Sequence, residues 1–122
     1  MSALYHYTCD HGRDVIEDVV IPSVWQTEHA AGTPGVYAWF TDLAAPMRDA
    51  LGLTSYFLTC DRTAHRFRVT NAAGVVPWIA VRRLWSWADE LESAPGAMPM
   101  HWFVSPGPVD VTYDPIAAAR AG

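Results

Sequence analysis

An α+β fold is what this chain predicts, and three observations lead there. Apolar and aromatic residues fall in short alternating runs, at residues 4–8, 36–41, 65–70 and 101–105. Proline and glycine cut the chain between those runs, at Pro22, Gly35, Gly52, Gly96 and Pro106 among others. Two or three of the intervening stretches carry helix-start signals. Short strands interrupted by short helices describe an α+β domain. A chain of 122 residues, 51% hydrophobic, holds one core and is too short for two ordinary domains. The expectation is one compact domain over 1–122, with a split or twisted antiparallel-rich sheet pair and two or three short helices.

The elements follow in order. Residues 3–8 form a first strand, on which His6 and Thr8 share one face while Tyr5 and Tyr7 share the other. Asp10 then caps a helix near 11–19 that carries Val15, Ile16 and Val19 and ends before Pro22. Residues 24–27 are a brief extended piece, and 28–35 a loop. Val36 to Thr41 is an aromatic-rich strand. Pro46 and Gly52 suit the first turn and the end of a short helix. Residues 55–60 and 65–70 are strands flanking a turn, and the second places Arg66 and Arg68 on one face. Residues 77–81 are a further apolar strand. Ser86 with Asp89 and Glu90 has a capping-box pattern for a helix through Glu92. Residues 101–105 and 109–112 make up a last strand, split by Pro106-Gly107-Pro108.

The net charge of −5 disfavours nonspecific binding to nucleic acid, but its distribution is uneven. Between Asp61 and Arg83 five arginines face one aspartate, a local +4, which leaves −9 on the rest of the chain. Such a segment suits a small anionic group such as a pyrophosphate, and equally a solvated face paired with nearby carboxylates. Every fixed positive charge is arginine. No apolar run approaches the ~20 residues of a membrane span. The start, Met1-Ser2-Ala3-Leu4, lacks the regions of a signal peptide, so a cytoplasmic location and no membrane partner are expected. Cys9 and Cys60 sit in matching Thr-Cys-Asp fragments near His6, His11 and His65, yet neither has CxxC or HxxxH spacing. Buried cysteines are expected there, with no metal.

Taken together, Tyr5-His6-Tyr7-Thr8, the helix through Ile16, Ile21-Pro22, the strand 36–42, and Met100 to Ser105 leading into Pro108-Val109 resemble the ADP-ribosyltransferase fold. The resemblance is to the branch of diphtheria toxin, the poly(ADP-ribose) polymerases and the bacterial DNA-targeting toxins. It implies NAD as substrate and no metal. It puts His6 on the ribose beside nicotinamide and the Thr8 hydroxyl on the ring, with Tyr7 between them as a further cofactor-binding candidate. An aromatic stacking on nicotinamide falls to Tyr37, Trp39 or Tyr56, and the strand-ending hydroxyl to Thr41. Arg66 and Arg68 are candidates for the diphosphate. The family's last-strand glutamate is matched here by His101, so the catalytic candidates are His6 and His101. A neutral histidine serves as a base but supplies no fixed negative charge, and the nearest preceding acids are Asp89, Glu90 and Glu92.

Three functions compete on this reading. The first is an enzyme transferring ADP-ribose to a nucleic acid or protein, with His6 and His101 facing each other within about 10 Å across a cleft. The second is a binder of NAD or ADP-ribose-type nucleotides without chemistry, as the missing glutamate favours. The third is a zinc-stabilised protein-interaction domain using the six tryptophans. A toxin or a phage-related protein is the setting expected for such a domain.

Overall fold

Seven short strands hold more residues than the helical segments do in the computed structural model, which describes residues 3–21, 37–45, 63–86, 88–93 and 95–116. The expected pieces at 24–27, 46–52 and 55–60 lie outside them. Strand β1 (Tyr5–Thr8) leads into helix α1 (Asp10–Val15) and β2 (Val19–Val20). Strands β3 (Ala38–Thr41), β4 (His65–Val69) and β5 (Val76–Pro77) follow. A helical turn α2 (Trp78–Val81), a 3-10 turn (Arg82–Leu84) and α3 (Ala88–Glu92) come next. A second 3-10 turn (Pro99–His101) then precedes β6 (Trp102–Ser105) and β7 (Val109–Tyr113). The order across the sheet is β2-β7-β4-β1-β3-β6-β5, and every pairing is antiparallel.

The sheet is strongly curled, and chain length shows why. Strands β6 and β7 have three others between them, so a flat sheet would hold them about 19 Å apart. The four residue steps from Ser105 to Val109 reach at most about 14 Å. Only curling closes that gap. The connection is held by the Ser105 hydroxyl, which donates to the Gly107 carbonyl at 3.0 Å and accepts from the Gly107 amide at 3.3 Å. The expected single split strand is therefore two strands on opposite sides of β1. The expected pair of sheets is one continuous sheet, with its weakest junction at β1 and β3, where the register is limited to Tyr5 opposite Thr41.

Alternation sorts the side chains into two cores. On one face Val20, Ala38, Phe40, Phe67, Val109 and Val111 are buried together, inside the curl. On the other, Tyr37, Trp102 and Val104 pack with Trp78 and Ala88 from the helical segment. Strand β3 gives residues to both. The domain is thus small, single and mostly sheet, with less helix than expected. Among the described residues only α1 exceeds five residues.

Three local expectations fail for identifiable reasons. The helix near 11–19 stops at Val15, because Val20 is buried in the inner core and Val19 and Val20 pair with Asp110 and Val109. Their β-branched side chains suit the pleated sheet better than a helix end. The strand expected at 77–81 is only Val76–Pro77 before the chain turns helical. Pro77 has no amide to extend the ladder, and the turn after it sinks Trp78 completely into the outer core. His101 belongs to the 3-10 turn begun by Pro99 rather than to β6.

Candidate functional site

The centre of the sheet holds His6. Its neighbour on one side is Phe67, directly opposite on β4, and on the other Phe40, whose ring centroid lies 5.7 Å from the imidazole. His6 Nδ1 is 2.7 Å from the Trp39 carbonyl oxygen. A carbonyl only accepts, so the proton sits on Nδ1, and in the neutral ring Nε2 has acceptor character. The side chain thereby bridges β1 and β3 beside their single register pair. Thr8, two residues on, shares this face and is buried opposite His65.

His101 arrives at the same face from the far side of β3. Thr41 stands opposite both Tyr5 and Trp102, so His6 and His101 lie one residue to either side of that row. Their backbones are two strand spacings apart across the sheet, about 10 Å, and about 7 Å apart along it. His101 Nδ1 is 2.7 Å from Asp42 Oδ1. The carboxylate accepts, so Nδ1 again carries the proton. Asp42 also lines a groove of about 490 Å³ with Leu4, Val75, Pro77 and Phe103. That volume falls within the range of small-molecule sites, roughly 300–1,000 Å³. Phe103 is opposite Phe40 in the register, which puts it on the face of His6.

Asp42 is the residue that sequence reasoning missed. It stands 59 positions before its partner, and no local motif links them. Among the acids nearer in sequence, Glu92 is committed elsewhere. One of its oxygens accepts from Trp78 Nε1 at 3.0 Å, and the other pairs with Arg82 at 2.9 Å. Glu92 fastens the helical segment to the outer core.

The remaining candidates divide by face. Tyr37 and Trp39 pack in the outer core, opposite to His6. The Tyr37 hydroxyl accepts from Trp85 Nε1 at 3.0 Å, and Trp39 stacks obliquely on Trp78 at 5.1 Å. Tyr7 is also on that outer face. Its hydroxyl donates to the Leu43 carbonyl at 2.9 Å, and burial pushes its pKa up, against the opposing pull of the Arg66 guanidinium. Thr41 is buried and accepts from the Leu43 amide at 3.1 Å.

Arg66 is buried beneath the same loop. It pairs with the Asp114 carboxylate at 3.1 Å, donates to the Ala44 carbonyl at 2.6 Å, and covers the Tyr5 ring at 5.0 Å. Arg68 is exposed. Tyr56 and Cys60 lie outside the described residues, and Cys9 is buried. Among the described residues no three His, Cys, Asp or Glu side chains gather as a metal site. None of the described helices is long and apolar enough to cross a membrane.

The arrangement therefore brings His6, Thr8, Phe103 and the Asp42–His101 pair to one sheet face, and leaves Tyr7, Tyr37, Trp39, Thr41, Arg66 and Arg68 off it. No protein-family model matches the chain, and no curated protein or solved structure does either. Chemically, the site offers a histidine oriented by its bond to the Trp39 carbonyl, an apolar groove, and a carboxylate held by a second histidine.

Proposed function

We propose that this protein is a divergent ADP-ribosyltransferase-like enzyme that binds NAD in the groove beside Asp42 and transfers ADP-ribose to a nucleic acid or protein acceptor. The observation that carries the reading is the Asp42–His101 pair on the face of His6. It returns a negative charge to a site that would otherwise have only histidines. In this reading His6 packs beside the ribose, and the apolar wall at Phe103 takes the nicotinamide ring. The glycosidic C–N bond breaks, nicotinamide leaves with the bonding electrons, and Asp42 stabilises the positive charge that develops on the ribose carbon. His101 holds that carboxylate in place and accepts the proton of the incoming acceptor hydroxyl or amine at Nε2.

The mainly apolar lining of the groove favours a second reading, a binder of NAD or ADP-ribose derivatives without turnover. Two measurements on the purified protein separate the readings: thermal stabilisation by NAD and ADP-ribose, and release of nicotinamide. Ligand at ~100 times its dissociation constant adds about 2.7 kcal/mol of stability. For the enzyme, Asp42→Asn keeps that stabilisation and slows release on the order of 10²-fold, while His6→Ala weakens both. Stabilisation with no release in the wild type selects the binder. A protein neither stabilised nor active with either nucleotide is neither of the two.

A further inference from the structure

The far end of the same sheet face carries a second cluster of reactive groups. His65 opens β4, Tyr113 closes β7, and Asp10 and Arg13 lie one turn apart on α1. His65 Nδ1 is 3.0 Å from the Tyr113 hydroxyl, and its Nε2 is hydrogen-bonded to Asp10 Oδ1. The Arg13 guanidinium stands over the Tyr113 ring, 4.9 Å from its centroid. Phe67 holds the opposing edge of that ring at 5.3 Å. An ionised carboxylate only accepts, so Nε2 carries the proton of the neutral imidazole and Nδ1 has the lone pair. The tyrosine hydroxyl then donates to Nδ1. This is the geometry of a nucleophile, its base, and a carboxylate that orients the base. His65 is mostly buried, whereas Tyr113 is 38% exposed and accessible to a substrate.

We propose that Asp10, His65 and Tyr113 form a second catalytic site, with Tyr113 as nucleophile and a phosphate diester as substrate. Arginine recognises phosphate through paired N–H donors, and Arg13, whose guanidinium stands over the ring of the nucleophile, is the cation on this cluster that selects such an anion. The Tyr113 oxygen attacks phosphorus while its proton passes to His65 Nδ1, and Asp10 stabilises the imidazolium. The bond from phosphorus to the leaving alcohol breaks, and the departing oxygen takes the proton from His65. Water then attacks the phosphotyrosine, giving its proton to His65. The Tyr113–phosphorus bond breaks, and the phenolate recovers the proton. The site lies at the Thr8 end of β1, and the groove lies at the Leu4 end, so neither proposal depends on the other.

The test uses bis(p-nitrophenyl) phosphate with the full chain, following nitrophenolate release and acid-quenched mass spectrometry for a phosphoryl adduct. The expected result is steady release, an adduct on Tyr113, and a loss of 10²-fold or more in Tyr113→Phe and His65→Gln. Arg13→Gln is expected to raise KM more than it lowers kcat. Tyr113→Phe keeps the ring against Phe67 and Arg13, so its unchanged thermal midpoint separates lost chemistry from lost folding. Absence of both release and adduct overturns the proposal, as does release that survives Tyr113→Phe.

Discussion

At Tyr7 a single strand position couples burial to ionisation. The ring is buried under the 42–45 loop, and the hydroxyl gives its hydrogen to the Leu43 carbonyl. Desolvation disfavours the phenolate and raises the pKa above its ordinary 10.0, even with the Arg66 guanidinium acting in the other direction. The folded chain therefore holds this proton more tightly than the unfolded chain. The associated stability is complete below pH 10.0 and is lost as pH rises from there through the folded value. Urea midpoints on either side of pH 10.0 should show a decline that Tyr7→Phe reduces. In Tyr7→Phe the unfolding free energy at neutral pH should also drop, by about 1 kcal/mol, for the lost hydrogen bond. An equal decline in both proteins would remove Tyr7 from the account. The alternation of β1 already placed Tyr7 and His6 on opposite faces. Which face was the inner core depended on what β3 and β4 bring to each side.

Among the elements, β4 shows what charge counting can and cannot reveal. The local excess of positive charge was legible, and so was the shared face of Arg66 and Arg68. Their environments were not. Arg66 is a buried clamp that joins β4 to the loop after β3 and to the end of β7, through Ala44 and Asp114. Arg68 remains on the surface. Arg66→Met should cost about 3–5 kcal/mol in urea unfolding, because it leaves Asp114 and the Ala44 carbonyl without their donor. Asp114→Asn, which keeps a hydrogen-bond acceptor, should cost less. A loss under about 1 kcal/mol for Arg66→Met would show that solvent already satisfies these groups. The strands β1, β3 and β4 were readable because period-2 alternation is strong there. The segment 76–81 was not, since a run of apolar residues after a proline suits a buried turn as well as a strand.

For the molecule as a whole, the two cores meet on opposite faces of β3, so neither can unfold without exposing the other. Tryptophans 39, 78, 85 and 102 all belong to the outer core, whereas the sheet itself encloses the inner one. Thermal unfolding followed by tryptophan fluorescence and by far-ultraviolet circular dichroism should therefore give coincident transitions. A fluorescence transition that precedes the dichroic one would mean that the helical segment detaches by itself. The curl that joins the cores also places both proposed sites, the groove at one end of the inner face and the Tyr113 cluster at the other.

By itself the sequence determined a small domain of short strands, with more helix than the fold has, the strand bearing His6 and Thr8 on one face, and the short length of most elements. Those features follow from local periodicity, from proline and glycine, and from side-chain preferences over a few neighbouring residues. Only the tertiary structure decided that Asp42 meets His101 across 59 positions, and that His65 meets Tyr113 across 48. Strand register and order create those pairs, and register is set by how whole faces bury against one another across the curled sheet. Both members of each pair were therefore present in the chain from the start, but only the fold matches them.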